Sequence, residues 1–124
     1  MLEGAQATGR ERNNGLWQGK FLGEKQYLIL LDVDVRKRHY HVTEAGHIVK
    51  FSVQLEMYVG NAWKEVLRYD CSHDFVHKDC YNIQGSKRKI AMLLDYEEAL
   101  TFADEDLDEN WEVYRERFLR GDFP

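Results

Sequence analysis

His47-Ile48-Val49-Lys50-Phe51-Ser52-Val53-Gln54-Leu55-Glu56-Met57-Tyr58-Val59 is the stretch whose pattern settles the fold class. Val49, Phe51, Val53, Leu55, Met57 and Val59 alternate with Lys50, Ser52, Gln54, Glu56 and Tyr58. Successive side chains on a strand point to opposite faces, so this segment is apolar on one side and polar on the other. That is the signature of an antiparallel sheet with one covered face. Gly60-Asn61 follows, two residues that accept positive φ as a tight hairpin requires, and the next strand runs from Ala62 to Asp70.

Upstream, Tyr27 to Val35 places Ile29, Leu31, Val33 and Val35 on one face, which predicts another strand. The basic segment 36–41 can continue it before Glu44-Ala45-Gly46 turns the chain. Downstream, a loop is expected over 71–80. Tyr81-Asn82-Ile83 and Lys87 to Leu94 then flank Gln84-Gly85-Ser86, which has the chemistry of a hairpin turn. Asp95 opens a long helix, with Glu98 at capping-box spacing and Glu97 and Glu98 suited to the positive helix end. Tyr96, Ala99, Leu100, Ala103, Leu107, Trp111, Tyr114 and Phe118 fall in an arc of about 120°, while Glu105, Glu109, Glu112 and Glu116 lie opposite. Arg117, Arg120 and Gly121 mark the helix end. The expected architecture is α+β: an antiparallel sheet of three to five strands with one long C-terminal helix packed on one face.

At 124 residues, with 44% hydrophobic and 31% charged residues, the chain has the length of one domain and the composition of a folded one. Residues 1–25, rich in Gly, Gln, Asn and charge, are expected to form a flexible tail, leaving 26–124 as a single domain. No long apolar run or signal-peptide layout is present, so a cytoplasmic protein with no membrane association is expected. Cys71 and Cys80 are too few for a disulfide framework and are expected to be reduced thiols. Residues 95–124 carry eleven acidic and three basic side chains, whereas 1–94 carry fourteen basic and eleven acidic, for an overall charge of −5. That sign excludes broad attraction to nucleic acid, but leaves local patches at Arg36-Lys37-Arg38 and Lys87-Arg88-Lys89. Such cations also guard strand edges.

The chemistry-bearing residues concentrate in Arg68-Tyr69-Asp70-Cys71-Ser72-His73-Asp74-Phe75-Val76-His77-Lys78-Asp79-Cys80-Tyr81. His73 and His77 could divide general acid and base work near neutral pH, with Arg68 or Lys78 stabilising a phosphate and Asp70 or Asp79 orienting a ring. Such a set suits metal-free RNA cleavage, with Tyr69, Phe75 and Tyr81 as stacking faces. The plainer reading has the histidines bonding loop carbonyls and the aspartates capping turns. Cys71, His73, His77, Asp79 and Cys80 are also possible metal ligands, yet C-x-H-x3-H-x2-C matches no common zinc spacing, and neither a metal nor a cofactor is expected. Little singles out either cysteine as a nucleophile. His39 and His41 would share one strand face, His47 is a boundary residue, and Asp32 and Asp34 are expected to be solvated.

Trp63, Arg68-Tyr69-Asp70, His73, His77 and Asp79, followed by Glu98-Ala99-Leu100-Thr101-Phe102-Ala103 and Asp106-Leu107-Asp108-Glu109-Asn110-Trp111, resemble an uncharacterised prokaryotic family of unknown function. Its pattern is an R-Y-D-x-x-H-x-x-x-H-x-D core and a closing helix, and the likeness covers roughly 47–120. The same core is more distantly similar to the TumE-like toxin group, with Cys71-Ser72 where that group has Asn-Ala. The first likeness implies one fold unit without an assigned activity. The second implies a toxin-like protein with RNA-directed chemistry at Arg68, Asp70, His73 and His77. Against this stands a non-catalytic interaction module, a homodimer or the partner of a cognate protein, that uses Phe102 and Val113 or an open sheet edge. Whether the chain is an enzyme stays open at this point.

Overall fold

A computed structural model of the chain describes residues 5–13, 22–72 and 74–124, with backbone alone for 5–13 and 72. The elements are β1 (Ala5–Asn13), β2 (Leu22–Asp32), β3 (Val35–Glu44), β4 (His47–Val59), β5 (Ala62–Ser72), β6 (Phe75–Tyr81), β7 (Lys87–Met92) and α1 (Tyr96–Arg120). The strands lie side by side in chain order, each antiparallel to its neighbours. Helix α1 crosses the face made by β4, β5 and β6. The class is the α+β arrangement expected, but the sheet is larger: six strands lie between Leu22 and Met92, and β1 pairs outside β2. Of the expected tail, 1–4 and 14–21 fall outside the described residues, 5–13 form β1, and 22–25 open β2.

Two local features hide β3 and β6 from the sequence pattern. The segment from Tyr27 through 41 is not one strand, because the chain reverses at Val33-Asp34, where the Asp32 carboxylate accepts a 2.7 Å bond from the Val33 amide. Nor is 71–80 a loop: β5 runs on to Ser72 and β6 starts at Phe75, with Asp74 at φ 69° in the turn between them. The other turns form where expected. Ala45 and Gly46 have φ 52° and 84°, and Gly60 and Asn61 have 62° and 67°. At 82–86 the Asn82 side chain accepts bonds from the amides of Gln84 and Ser86.

The covered face of β4 contributes Phe51, Val53, Leu55 and Met57 to the core, while Val49, near the start of the strand, remains 42% exposed. Val66, Leu67, Tyr69, Val76 and Cys80 join them from β5 and β6, and Ala99, Ala103, Leu107, Tyr114 and Phe118 from α1. Each fully buried Leu or Phe of this set contributes about 1.5–3 kcal/mol by leaving water. The capping box is present: the Asp95 carboxylate accepts from the Glu98 amide at 2.8 Å, and Glu98 reaches back to the Asp95 amide. At the other end Gly121, at φ 87°, donates to the Phe118 carbonyl, and the Asp122 amide to that of Arg117. Among the described residues no helix is long and apolar enough to cross a membrane.

Candidate functional site

The β5–β6 register sets Arg68 opposite Asp79 and Asp70 opposite His77. Alternation puts all four on the face away from α1, since Tyr69 and Lys78, one position along, reach helix residues. Three of the four expected site residues, Arg68, Asp70 and His77, are therefore neighbours. His73 lies outside the described residues.

The chemistry of this patch is that of an ion network centred on Arg68. The Arg68 guanidinium lies 3.2 Å from Glu65, 3.3 Å from Asp70 and 3.4 Å from Asp79. Burial alone would lower the Arg68 pKa, but Glu65 and the other surrounding groups outweigh it and hold the cation above its ordinary range. Asp79, 2% exposed, also has Lys87 at 3.9 Å. On the same face Glu56 receives Arg36 at 2.5 Å, Arg38 at 2.9 Å, and a short bond from Gln54. Burial pushes the Glu56 carboxyl upward, yet the Arg38 and Arg36 bonds prevail and hold it below its usual range. Arg36 additionally covers the Trp63 ring at 4.0 Å. Among the described residues, Arg68 Nε, His77 Nδ1 and Asp79 Oδ1 are buried without a hydrogen-bond partner.

A phosphate would have to displace three carboxylates from Arg68. Lys78, the other expected phosphate ligand, lies on the helix side over the Tyr69 and Tyr114 rings. Tyr69, expected as a stacking face, points inward and is 1% exposed, whereas Phe75 is 60% exposed. A pocket of about 370 Å³ is lined by Lys64, Glu65, Tyr81, Asn82, Gln84 and Phe118, and another of about 100 Å³ by Gln26, Leu28, Arg38 and Tyr40 with their neighbours. Neither includes Arg68, Asp70 or His77.

The described candidate metal ligands, Cys71, His77, Asp79 and Cys80, do not converge. Cys71 and Cys80 belong to the helix side, where the Phe51 amide approaches Cys71 Sγ at 3.3 Å, while His77 and Asp79 are on the other side. Among the described residues no group of three or more His, Cys, Asp or Glu is disposed to hold a metal ion. Burial pushes the Cys80 thiol pKa up, which opposes a nucleophilic thiolate there.

A second polar cluster joins the sheet to the helix. His39 and His41 do share a face, but it is the helix side, so they line no groove with the β5–β6 patch. His39, 3% exposed, bonds Asp104 at 3.2 Å through Nδ1 and His41 at 2.7 Å through Nε2, and stacks on Tyr27 at 4.5 Å. Lys37, also 3% exposed, reaches Asp108 at 2.8 Å and Asp104 at 3.2 Å. Burial opposes ionisation of Asp104, but His39 and Lys37 outweigh it and keep its pKa low, while burial followed by Asp104 and Asp108 pushes the Tyr27 phenol up to about 12. Asp106 accepts from the hydroxyls of Tyr69 at 2.6 Å and Tyr114 at 2.7 Å. Asp32 and Asp34 are held by Arg115 at 3.2 and 2.9 Å, and His47 sits 3.9 Å from Glu97 at the surface. The signal missed in the sequence was Lys37 and His39 on the covered face of β3, since a buried lysine needs carboxylates facing it and a buried imidazole needs hydrogen-bond partners.

No curated protein and no solved structure matches the chain. A family profile described as "Domain of unknown function (DUF7718)" matches residues 22–124, the whole of the fold from β2 onward, and the chain belongs to that family.

Proposed function

We propose that the domain is a non-catalytic binding module of the cytoplasm that meets a partner protein through the free edge of its sheet. The observation that carries this is β7. It is last in the strand order, Lys87 through Ala91 are exposed, and Phe75 and Leu93 beside it are 60% and 97% exposed. An unpaired edge offers a row of backbone donors and acceptors that an extended segment can complete. The two unpaired cysteines suit a reducing compartment.

The competing reading is a toxin-like RNA-binding or RNA-cleaving domain using Arg68, Asp70, His73 and His77. Its support is the ring-bearing open face, with Trp63 under Arg36 and Tyr40 near Lys50 at 5.8 Å. Weighing against it, Arg68 is held by three carboxylates and Arg36 and Arg38 by Glu56, so these three arginines have little charge left for phosphates. The two readings separate in one assay: labelled single-stranded RNA incubated with the purified chain. The module reading predicts intact RNA with the natural protein and with folded His77→Ala alike. Cleavage that disappears in folded His77→Ala overturns it.

A further inference from the structure

We infer that β7 takes as its outer neighbour an extended segment of a partner protein in which three acidic residues face Lys87, Arg88 and Lys89 and apolar residues face Ile90 to Leu93. This rests on the binding-module reading and names the chemistry of the partner. The three consecutive cations have little to neutralise them. Lys87 stands 3.9 Å from Asp79, a carboxylate already engaged by Arg68, and Arg88 lies over the Phe123 ring at 5.1 Å. Lys89 makes no ion pair with any described residue. Side chains directly opposite on paired strands stand about 5 Å apart, so an incoming strand with three adjacent carboxylates would meet all three cations, Lys87 and Lys89 on one face and Arg88 on the other.

The far half of the strand asks for different side chains. Ile90 is 38% exposed and Leu93 97%, and Phe75 on β6 is 60% exposed, which fits apolar partners there. A second copy of the chain suits this edge less well. Registers that set Lys87–Lys89 against the same residues of another copy place like charges opposite one another, which is destabilising.

The test uses the full isotopically labelled chain and three synthetic peptides of six residues. One has three β-branched apolar residues followed by three glutamates, one ends instead in three lysines, and one is apolar or hydroxyl-bearing throughout. Amide shifts confined to Lys87–Met92 and its neighbours on β6 are expected with the acidic peptide only. Lys89→Gln, which removes the charge without setting a second carboxylate opposite Asp79, is expected to weaken binding about threefold, the scale of one exposed ion pair. Raising salt from roughly 0.05 to 0.5 M should weaken it further, because exposed pairs are screened. Equal binding of the lysine peptide, or shifts centred elsewhere, overturns the inference. Binding of the uncharged peptide alone at β7 removes the acidic assignment but leaves the module. A stable dimer that protects the β7 amides in the free protein assigns the edge to a second copy and overturns the inference. No binding at β7 by any of the three, in a monomeric protein, removes both.

Discussion

Asp106 accepts hydrogen bonds from Tyr69, Tyr114 and Asn110, at 2.6, 2.7 and 2.8 Å, and so ties the helix to the sheet through the buried Tyr69 phenol, with Tyr114 and Asn110 of the helix itself as its other donors. Removing it leaves both hydroxyls unpaired, at a cost of about 2–4 kcal/mol. Urea denaturation of Asp106→Ala should show that loss, with Asp106→Asn retaining part of the stability. Glu56 answers to pH. Its folded pKa is depressed, so the stability it contributes is present above the unfolded value of about 4.3 and is lost as pH falls through the lower folded value. Glu56→Gln should melt earlier than the natural chain at pH 7, with the gap closing toward pH 3; a constant gap contradicts the assignment. At this scale the sequence was only half legible. Arg68, Asp70 and His77 were singled out and do lie together, but Tyr69 looked like a stacking ring because the pattern of inner positions on β5 was not recognised.

Among the elements, α1 was the most readable. Its apolar arc, its Asp95 to Glu98 box and its glycine end all follow local rules that need no tertiary information. Asp95→Ala is expected to cost about 1 kcal/mol in equilibrium denaturation, since the Glu98 amide would lose its acceptor. β4 was equally plain from its alternation. The β5–β6 hairpin was not, because Asp70, Cys71, Ser72, Asp74 and His77 are poor strand formers, and the pairing is held by context. Cys71 and Val76 sit opposite each other, Leu67 opposite Cys80, and these inner residues pack beneath α1. The β2–β3 turn was hidden for a related reason: Asp32-Val33-Asp34 contains no glycine or asparagine.

Charge is distributed by side at the scale of the whole molecule. The acidic C-terminal quarter folds as a helix whose inner carboxylates Asp104, Asp106 and Asp108 meet sheet residues, leaving Glu105, Glu109, Glu112 and Glu116 outside. The cations of β3 and β5 are largely consumed within the fold. Those of β7 are not, and the proposed docking of a partner strand rests on this contrast. The most direct measurement is residue-resolved amide hydrogen exchange on the free, monomeric protein. The account predicts that alternate amides of Lys87–Met92, those turned away from β6, exchange at least about a hundredfold faster than Phe51–Met57 in the sheet centre. Protection of every β7 amide to the level of β4 would mean that the edge is already occupied, and would contradict it.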